Sequence, residues 1–147
     1  MDVADAEIAA ADASRDGEVG SVHSWDLVTG ADGPGSRMTL FMAGCGMRCQ
    51  YCQNPDTWRM RDGTRRSIAQ VMDRVKRYKR LMTVTGGGLT ISGGEPLLQD
   101  RFVANVFRRA KADLGIHTAL DTAGLLGARL SDRELLDIDL TLLDIKS

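Results

Sequence analysis

The stretch LTISGGEP, Leu89 to Pro96, decides how this chain is to be read. Leu89–Ser92 is a compact apolar run of strand length, and Gly93-Gly94 ends it in a turn. A helical stripe lies on each side of it. In SIAQVMDRVKRYKRLM, Ile68, Val71, Met72, Val75 and Tyr78 share one helical face, and Ser67 with Gln70 supplies a capping box. In RFVANVFRRAKA the stripe recurs through Phe102, Val103, Val106, Phe107 and Ala110, with Asp100 placed to cap it. Farther out, SVHSWDLV and MTLFMAG are strand candidates separated by the turn-rich TGADGPGSR. HTALDT and LTLLDIK are further strands, and SDRELLDI between them is a short helix with Ser131 and Glu134 as its capping box.

Strands alternating with helices predict an α/β fold built on a parallel sheet. LTIS and LTLLDI are nearly continuous apolar runs, the pattern of strands covered on both faces. Each strand ends in groups able to hydrogen-bond: Ser92-Gly93-Gly94-Glu95, Asp121-Thr122 and Asp144-Ile145-Lys146. Parallel α/β folds bind ligands at those carboxyl ends, so three strand ends point at one shared site.

Composition sets the outer limits. The 147 residues are enough for one domain with a hydrophobic core, and 43% hydrophobic with 27% charged residues is ordinary for a globular protein. A net charge of −1 leaves no electrostatic footprint for nucleic acid or an anionic membrane. No run approaches the ~18 apolar residues of a membrane span. The start, MDVADAEIAAADASRDGE, lacks the basic and apolar segments of a signal peptide, so a cytoplasmic location is expected. Residues 1–19 hold six acids against Arg15 and few large apolar groups, and are read as a mobile acidic extension. Residues 20–147 are the domain proper.

All three cysteines fall in CGMRCQYCQNP, at the spacing C-x3-C-x2-C. Clustered cysteines in a cytoplasmic chain read as metal-binding or catalytic rather than as a disulfide framework. A structural zinc would need a fourth ligand, from His23 or His117, and such sites usually pair their ligands in two separated knuckles. Three unrelated core cysteines fit poorly with a polar, glycine-bearing loop. Alternatively, three thiolates hold three irons of a four-iron cluster and leave the fourth iron open to a small molecule.

With an aromatic residue, Tyr51, before the last cysteine, this spacing resembles the signature of the radical S-adenosylmethionine enzymes. The set DGPGSR, CGMRCQYCQNPDTW, TGGGLTISGGEPLLQ, GIHTALDTAG and LLDIK, in that order, is similar to the activating enzymes of glycyl-radical enzymes. The resemblance runs from about Gly20 to the C-terminus. It implies a partial parallel (β/α) barrel of the radical S-adenosylmethionine type, the first four or so units of a (β/α)6 barrel. Leu140–Ile145 would then carry an unpaired edge, which needs covering.

By that resemblance Cys45, Cys49 and Cys52 ligate a [4Fe-4S] cluster. Tyr51, Cys52, Gln53, Gly93, Gly94, Glu95, Asp144, Ile145 and Lys146 line the S-adenosylmethionine pocket, although the family more often has histidine where Gln53 stands. Asp121, Thr122, Leu142 (through its backbone) and Asp144 match a site for a monovalent cation, sodium or potassium. Two aspartates and backbone carbonyls are a hard-oxygen set suited to such an ion. Asp121 as a turn cap and Asp144 paired with Lys146 or Arg129 is the plainer alternative. Asp32 matches a position that holds the glycine loop of the substrate protein, against which stands a simple Asp-Gly-Pro-Gly turn.

The implied activity is reductive cleavage of S-adenosylmethionine at the cluster and hydrogen abstraction from a backbone glycine of the partner. The implied partner is a glycyl-radical enzyme of the pyruvate formate-lyase type, with a flavodoxin- or ferredoxin-type electron donor. No catalytic acid or base is called for, and no nucleic acid or membrane. The activator of anaerobic ribonucleotide reductase, or of another glycyl-radical enzyme, and a non-catalytic cluster-binding fragment are the alternatives.

Overall fold

The computed structural model describes residues 16–30, 32–44, 63–124 and 126–143. Its strands are β1 (Val19–Thr29), β2 (Ser36–Met42), β3 (Thr64–Ser67), β4 (Gly88–Gly93), β5 (His117–Thr122) and β6 (Leu140–Leu143). They form one six-stranded sheet in the order β3-β1-β2-β4-β5-β6. The helices are α1 (Ile68–Arg77), α2 (Lys79–Thr85), α3 (Asp100–Arg109) and α4 (Asp132–Leu135). None of the described helices is long and apolar enough to cross a membrane.

The fold is α/β, but the sheet is mixed rather than wholly parallel. β2, β4, β5 and β6 run parallel, while β1 pairs antiparallel with both β2 and β3. The reason is the short connection between β1 and β2. A parallel pair needs a crossover of a dozen or more residues, and the Gly30–Gly35 turn can only reverse the chain. β3 is the strand that periodicity misses, because TRRS has no apolar residue to alternate. It forms by pairing Val19–Val22 of β1.

The helix stripes pack as read. Ile68, Val71, Met72 and Val75 of α1 are buried, and Ser67 and Gln70 close the expected capping box. The predicted single helix breaks at Tyr78 (φ −106°, ψ 7°), where α1 ends and α2 begins. Phe102, Val103, Val106 and Phe107 of α3 are buried, and the chain then passes through a π turn at Ala110–Leu114. The cap of α3 differs from expectation. Gln99 is the capping residue and makes no side-chain cap bond; Asp100 lies in the first turn, where its charge favours the helix dipole. Gln99 is engaged elsewhere, accepting from Ser21 N at 2.7 Å and donating to Ser21 O at 2.9 Å and Ala43 O at 3.0 Å. Ser131 and Glu134 close their capping box at α4 as expected.

Met38, Leu40, Met42, Leu89, Ile91 and Leu120 meet these helices in a hydrophobic core. Each such side chain contributes roughly 1.5–3 kcal/mol by leaving water. The opposite face is polar. Register sets Thr39 beside Thr90 and Arg37 beside Gly88 and, across β4, His117. Arg37, Thr39 and Thr90 are nonetheless fully buried. The near-continuous burial of β4 therefore has two different sources, helices on one face and hydrogen-bonded polar groups on the other.

Candidate functional site

The carboxyl ends of β2, β4, β5 and β6 lie at one edge of the parallel sheet, as the strand-end motifs predict. Gly94 N donates to Met42 O at 3.0 Å, and Glu95 N donates to Gly44 O at 2.8 Å. Gly44 is the residue before Cys45, so the Gly-Gly-Glu turn is bonded to the backbone from which the cysteine loop departs. Gly93 permits this approach. Its φ is +114°, and a Cβ there would stand 2.3 Å from Met42 N.

Glu95 is buried, and its carboxylate works inward. Oε1 accepts from Thr122 Oγ1 at 2.7 Å and Ala123 N at 2.9 Å, while Oε2 accepts from Leu97 N at 2.8 Å. Thr122 Oγ1 also lies 2.9 Å from Oε2. Three donors on a carboxylate with about four acceptor positions leave little room for a ligand's ammonium. The side chain thus ties the end of β4 to the end of β5 and caps the 3-10 turn Pro96–Gln99. Thr122 Oγ1 donates to Glu95 and accepts from Gly124 N at 3.1 Å, which leaves it one lone pair.

Of the residues assigned to a cation, Asp121 accepts from Ser92 Oγ at 2.9 Å and stands opposite Leu142 in the β5–β6 register. Among the described residues no group of three His, Cys, Asp or Glu side chains is gathered for a metal ion. Asp32 stands apart from this edge. Its carbonyl accepts from Thr90 Oγ1 at 2.7 Å and its Oδ2 from Thr39 Oγ1 at 3.4 Å, so it lies over the polar face of the sheet. Thr39 and Thr90 are two residues short of Phe41 and Ser92 along their strands, about 7 Å toward the amino ends. Cys45, Tyr51, Cys49, Cys52, Gln53, Asp144, Ile145 and Lys146 lie outside the described residues, as do residues 1–15.

The partners of three residues in this architecture could not be read from the sequence. Ser92 orients Asp121, Gln99 stitches β1 to the end of β2, and Arg37 is buried beneath the Gly30–Gly35 turn. Each acts through partners far away in the chain. At the amino ends of the strands, Arg37 Nη2 lies 3.0 Å from His117 Nδ1. A guanidinium only donates, so Nδ1 accepts and the neutral ring carries its proton on Nε2. Burial and then the Arg37 charge hold the His117 pKa below its usual value, against Asp139. Burial also lowers Arg37, while Asp139 and Asp32 oppose that. Burial would raise Asp139, but its bonds to Lys111 and Thr118 outweigh that and hold it below the usual carboxylate value.

The model of a family described as "4Fe-4S single cluster domain" matches residues 31–146. The pyruvate formate-lyase-activating enzyme of Listeria monocytogenes is 45% identical over 136 residues, covering 87% of this chain and 54% of its own length. That of Clostridium pasteurianum is 44% identical over 128 residues, covering 87% of this chain and 53% of its own. The pyruvate formate-lyase 1-activating enzyme of Escherichia coli is 44% identical over 132 residues, covering 87% and 52%. The chain thus spans about half the length of the curated relatives it matches.

Proposed function

This chain belongs to the 4Fe–4S single cluster domain family and is a relative of the radical S-adenosylmethionine activating enzymes, and from that premise we propose that it activates a glycyl-radical enzyme. The proposed partner is of the pyruvate formate-lyase type, a reading supported by the names of its relatives. The four parallel strands are proposed as units of a (β/α)6 barrel. The observation that carries this reading is the pair of backbone bonds joining Gly94 and Glu95 to Met42 and Gly44. They set a glycine-lined turn against the strand end that leads into Cys45.

The donor chemistry fits the cluster: three closely spaced thiolates serve three irons and leave one open. Cys45, Cys49 and Cys52 would hold it. When bound, the reduced cluster with S-adenosylmethionine supplies one-electron cleavage of the sulfonium and a carbon radical able to take a hydrogen atom. The protein's own residues bind and orient. Tyr51, Gln53, Asp144, Ile145 and Lys146 would line the cofactor pocket together with the backbone of Gly93 and Gly94. Glu95 supports that pocket from beneath through Thr122, Ala123 and Leu97. Asp121, held by Ser92, would receive a monovalent cation with Thr122, the Leu142 backbone and Asp144. Asp32 would accept a backbone N–H of the partner's glycine loop. An external one-electron carrier of the flavodoxin or ferredoxin kind supplies the electron, in a cytoplasmic setting.

Anaerobic reconstitution with iron and sulfide, reduction and addition of S-adenosylmethionine tests the reading. The expected product is 5′-deoxyadenosine. Stoichiometric zinc in place of any cluster would sink the proposal, and a cluster without cleavage would reduce the chain to a cluster-binding module.

A further inference from the structure

Arg37 is the largest of the fully buried side chains, and nothing in the proposed chemistry uses it. Its Nε donates to Thr90 Oγ1 at 2.7 Å, Nη1 to Pro34 O at 3.0 Å and Nη2 to Leu89 O at 3.1 Å. Nη2 also lies 3.0 Å from His117 Nδ1. No carboxylate of the described residues takes a hydrogen bond from it. Four of its five N–H groups are thereby occupied, so the guanidinium is an anchor and has no room to act as an anion receptor. Burying a cation with no carboxylate hydrogen-bonded to it is costly, and the four acceptors around it offset that cost. What the arginine secures is the position of the turn above it.

The connection runs through Thr90. Because Thr90 Oγ1 accepts from Arg37 Nε, its own proton is directed to Asp32 O at 2.7 Å. Pro34 O, two residues on, is held by Nη1. Asp32, which carries the first of these fixed carbonyls, adopts φ 58°, a left-handed conformation uncommon outside glycine. Gly33 lies against the guanidinium: at its φ of +124° a Cβ would come within 2.9 Å of Arg37 Nε. The Asp32 carboxylate makes only the long 3.4 Å contact with Thr39, and its Oδ1 has no partner among the described residues.

The geometry points to Arg37 as a positioning residue: acting through Thr90, it holds Asp32 in the left-handed conformation that leaves its carboxylate free to accept a backbone N–H from the polypeptide carrying the reacting glycine. This rests on the role proposed above for Asp32. The Arg37 guanidinium itself touches neither polypeptide nor cofactor.

The test needs no loaded cluster. A blocked, fluorescein-labelled nonapeptide with a central glycine among alanines and serines is titrated with the full chain, and Kd is read by anisotropy. Asp32→Asn and Arg37→Gln are each expected to raise Kd about ten-fold, and the double variant no more than either alone. Thr90→Val, nearly isosteric and lacking the relay, is expected to match Arg37→Gln, and Arg37→Lys to recover part of the loss. In parallel, ¹⁵N spectra of Thr90→Val and Arg37→Gln should move the Asp32 and Gly33 amides while leaving that of Val106 in α3 in place. Should Arg37→Gln fail to fold, Thr90→Val carries both measurements. Unmoved turn amides, an unchanged Kd in the relay variants, or additive losses in the double variant would each overturn the proposal. A wild-type chain that ignores the peptide would overturn the role of Asp32, and this proposal with it. Binding that is equal in wild type and relay variants overturns the positioning role alone.

Discussion

On one face of the β2–β4–β5 sheet, Met38, Leu40, Met42, Leu89 and Ile91 meet Val71, Val75, Phe102 and Phe107. On the other, Arg37, Thr39 and Thr90 are buried to the same depth under a turn of glycines, proline and Asp32. Burial alone does not distinguish the two faces. The first is held by area removed from water, which is non-directional and tolerates exchange of one apolar side chain for another of similar volume. The second is held by directed bonds, each of which names its partner and leaves that partner stranded when lost. The directional face is therefore the one able to fix a functional group in a strained position, and Asp32 sits on it.

The comparison can be broken at either face. Phe107→Ala on the apolar face should have the largest effect, a loss of about 3–5 kcal/mol in urea unfolding, since it opens a cavity among fully buried side chains. A loss below about 1 kcal/mol would mean that the helix layer is not the main support. On the directed face, Arg37→Met keeps the volume but strands the Thr90, Pro34, Leu89 and His117 acceptors. About 1–3 kcal/mol should follow, and a neutral result would show those bonds to be dispensable. Thr122→Val removes one of three donors from buried Glu95 and should cost about 1–3 kcal/mol. Thr122→Ser, which keeps the hydroxyl, should recover most of that cost.

Acid sharpens the contrast with a smaller effect. His117 has a folded pKa below the ordinary value of about 6.5, so between the two values the unfolded chain binds more protons. Stability from this group is complete above about pH 6.5 and is lost as pH falls toward the folded value, with Arg37, Lys111 and Asp139 as the charges that face it. Asp139 is also depressed, and its own contribution persists to lower pH, failing only below about 3.9. Thermal melts of His117→Gln should therefore lack the first, near-neutral decline and keep the second. The least effect belongs to Val84→Ser, at 77% exposure on α2, which should stay within about 0.5 kcal/mol of wild type.

Much of this architecture was legible along the chain. The stripes of α1 and α3, both Ser capping boxes and the strand at Leu89–Ser92 depend on residues within a turn or two of one another. The Gly-Gly-Glu turn and Asp121-Thr122 were readable as a shared edge because parallel strands align their carboxyl ends. β3 was not legible, since TRRS owes its extended form to Val19–Val22 more than forty residues earlier. The α3 cap departs from the local pattern because the Gln99 side chain is claimed by Ser21 and Ala43. Glu95 reads as a ligand group in the sequence, and its commitment to Thr122 and Ala123 appears only when β5 lies beside β4.

By itself, then, the order of residues determined the main helices and strands other than β3, which strand ends carry polar chemistry, and where three thiolates fall together in the chain. Those properties follow from local periodicity, capping and turn chemistry. Tertiary structure alone decided that β1 runs antiparallel, that Glu95 faces inward, and that a charged arginine is buried under the turn that bears Asp32. The physical reason is separation. The acceptors that make Arg37 tolerable in the interior, Leu89, Thr90 and His117, come from strands fifty to eighty residues away, and only the assembled sheet brings them within 3.1 Å.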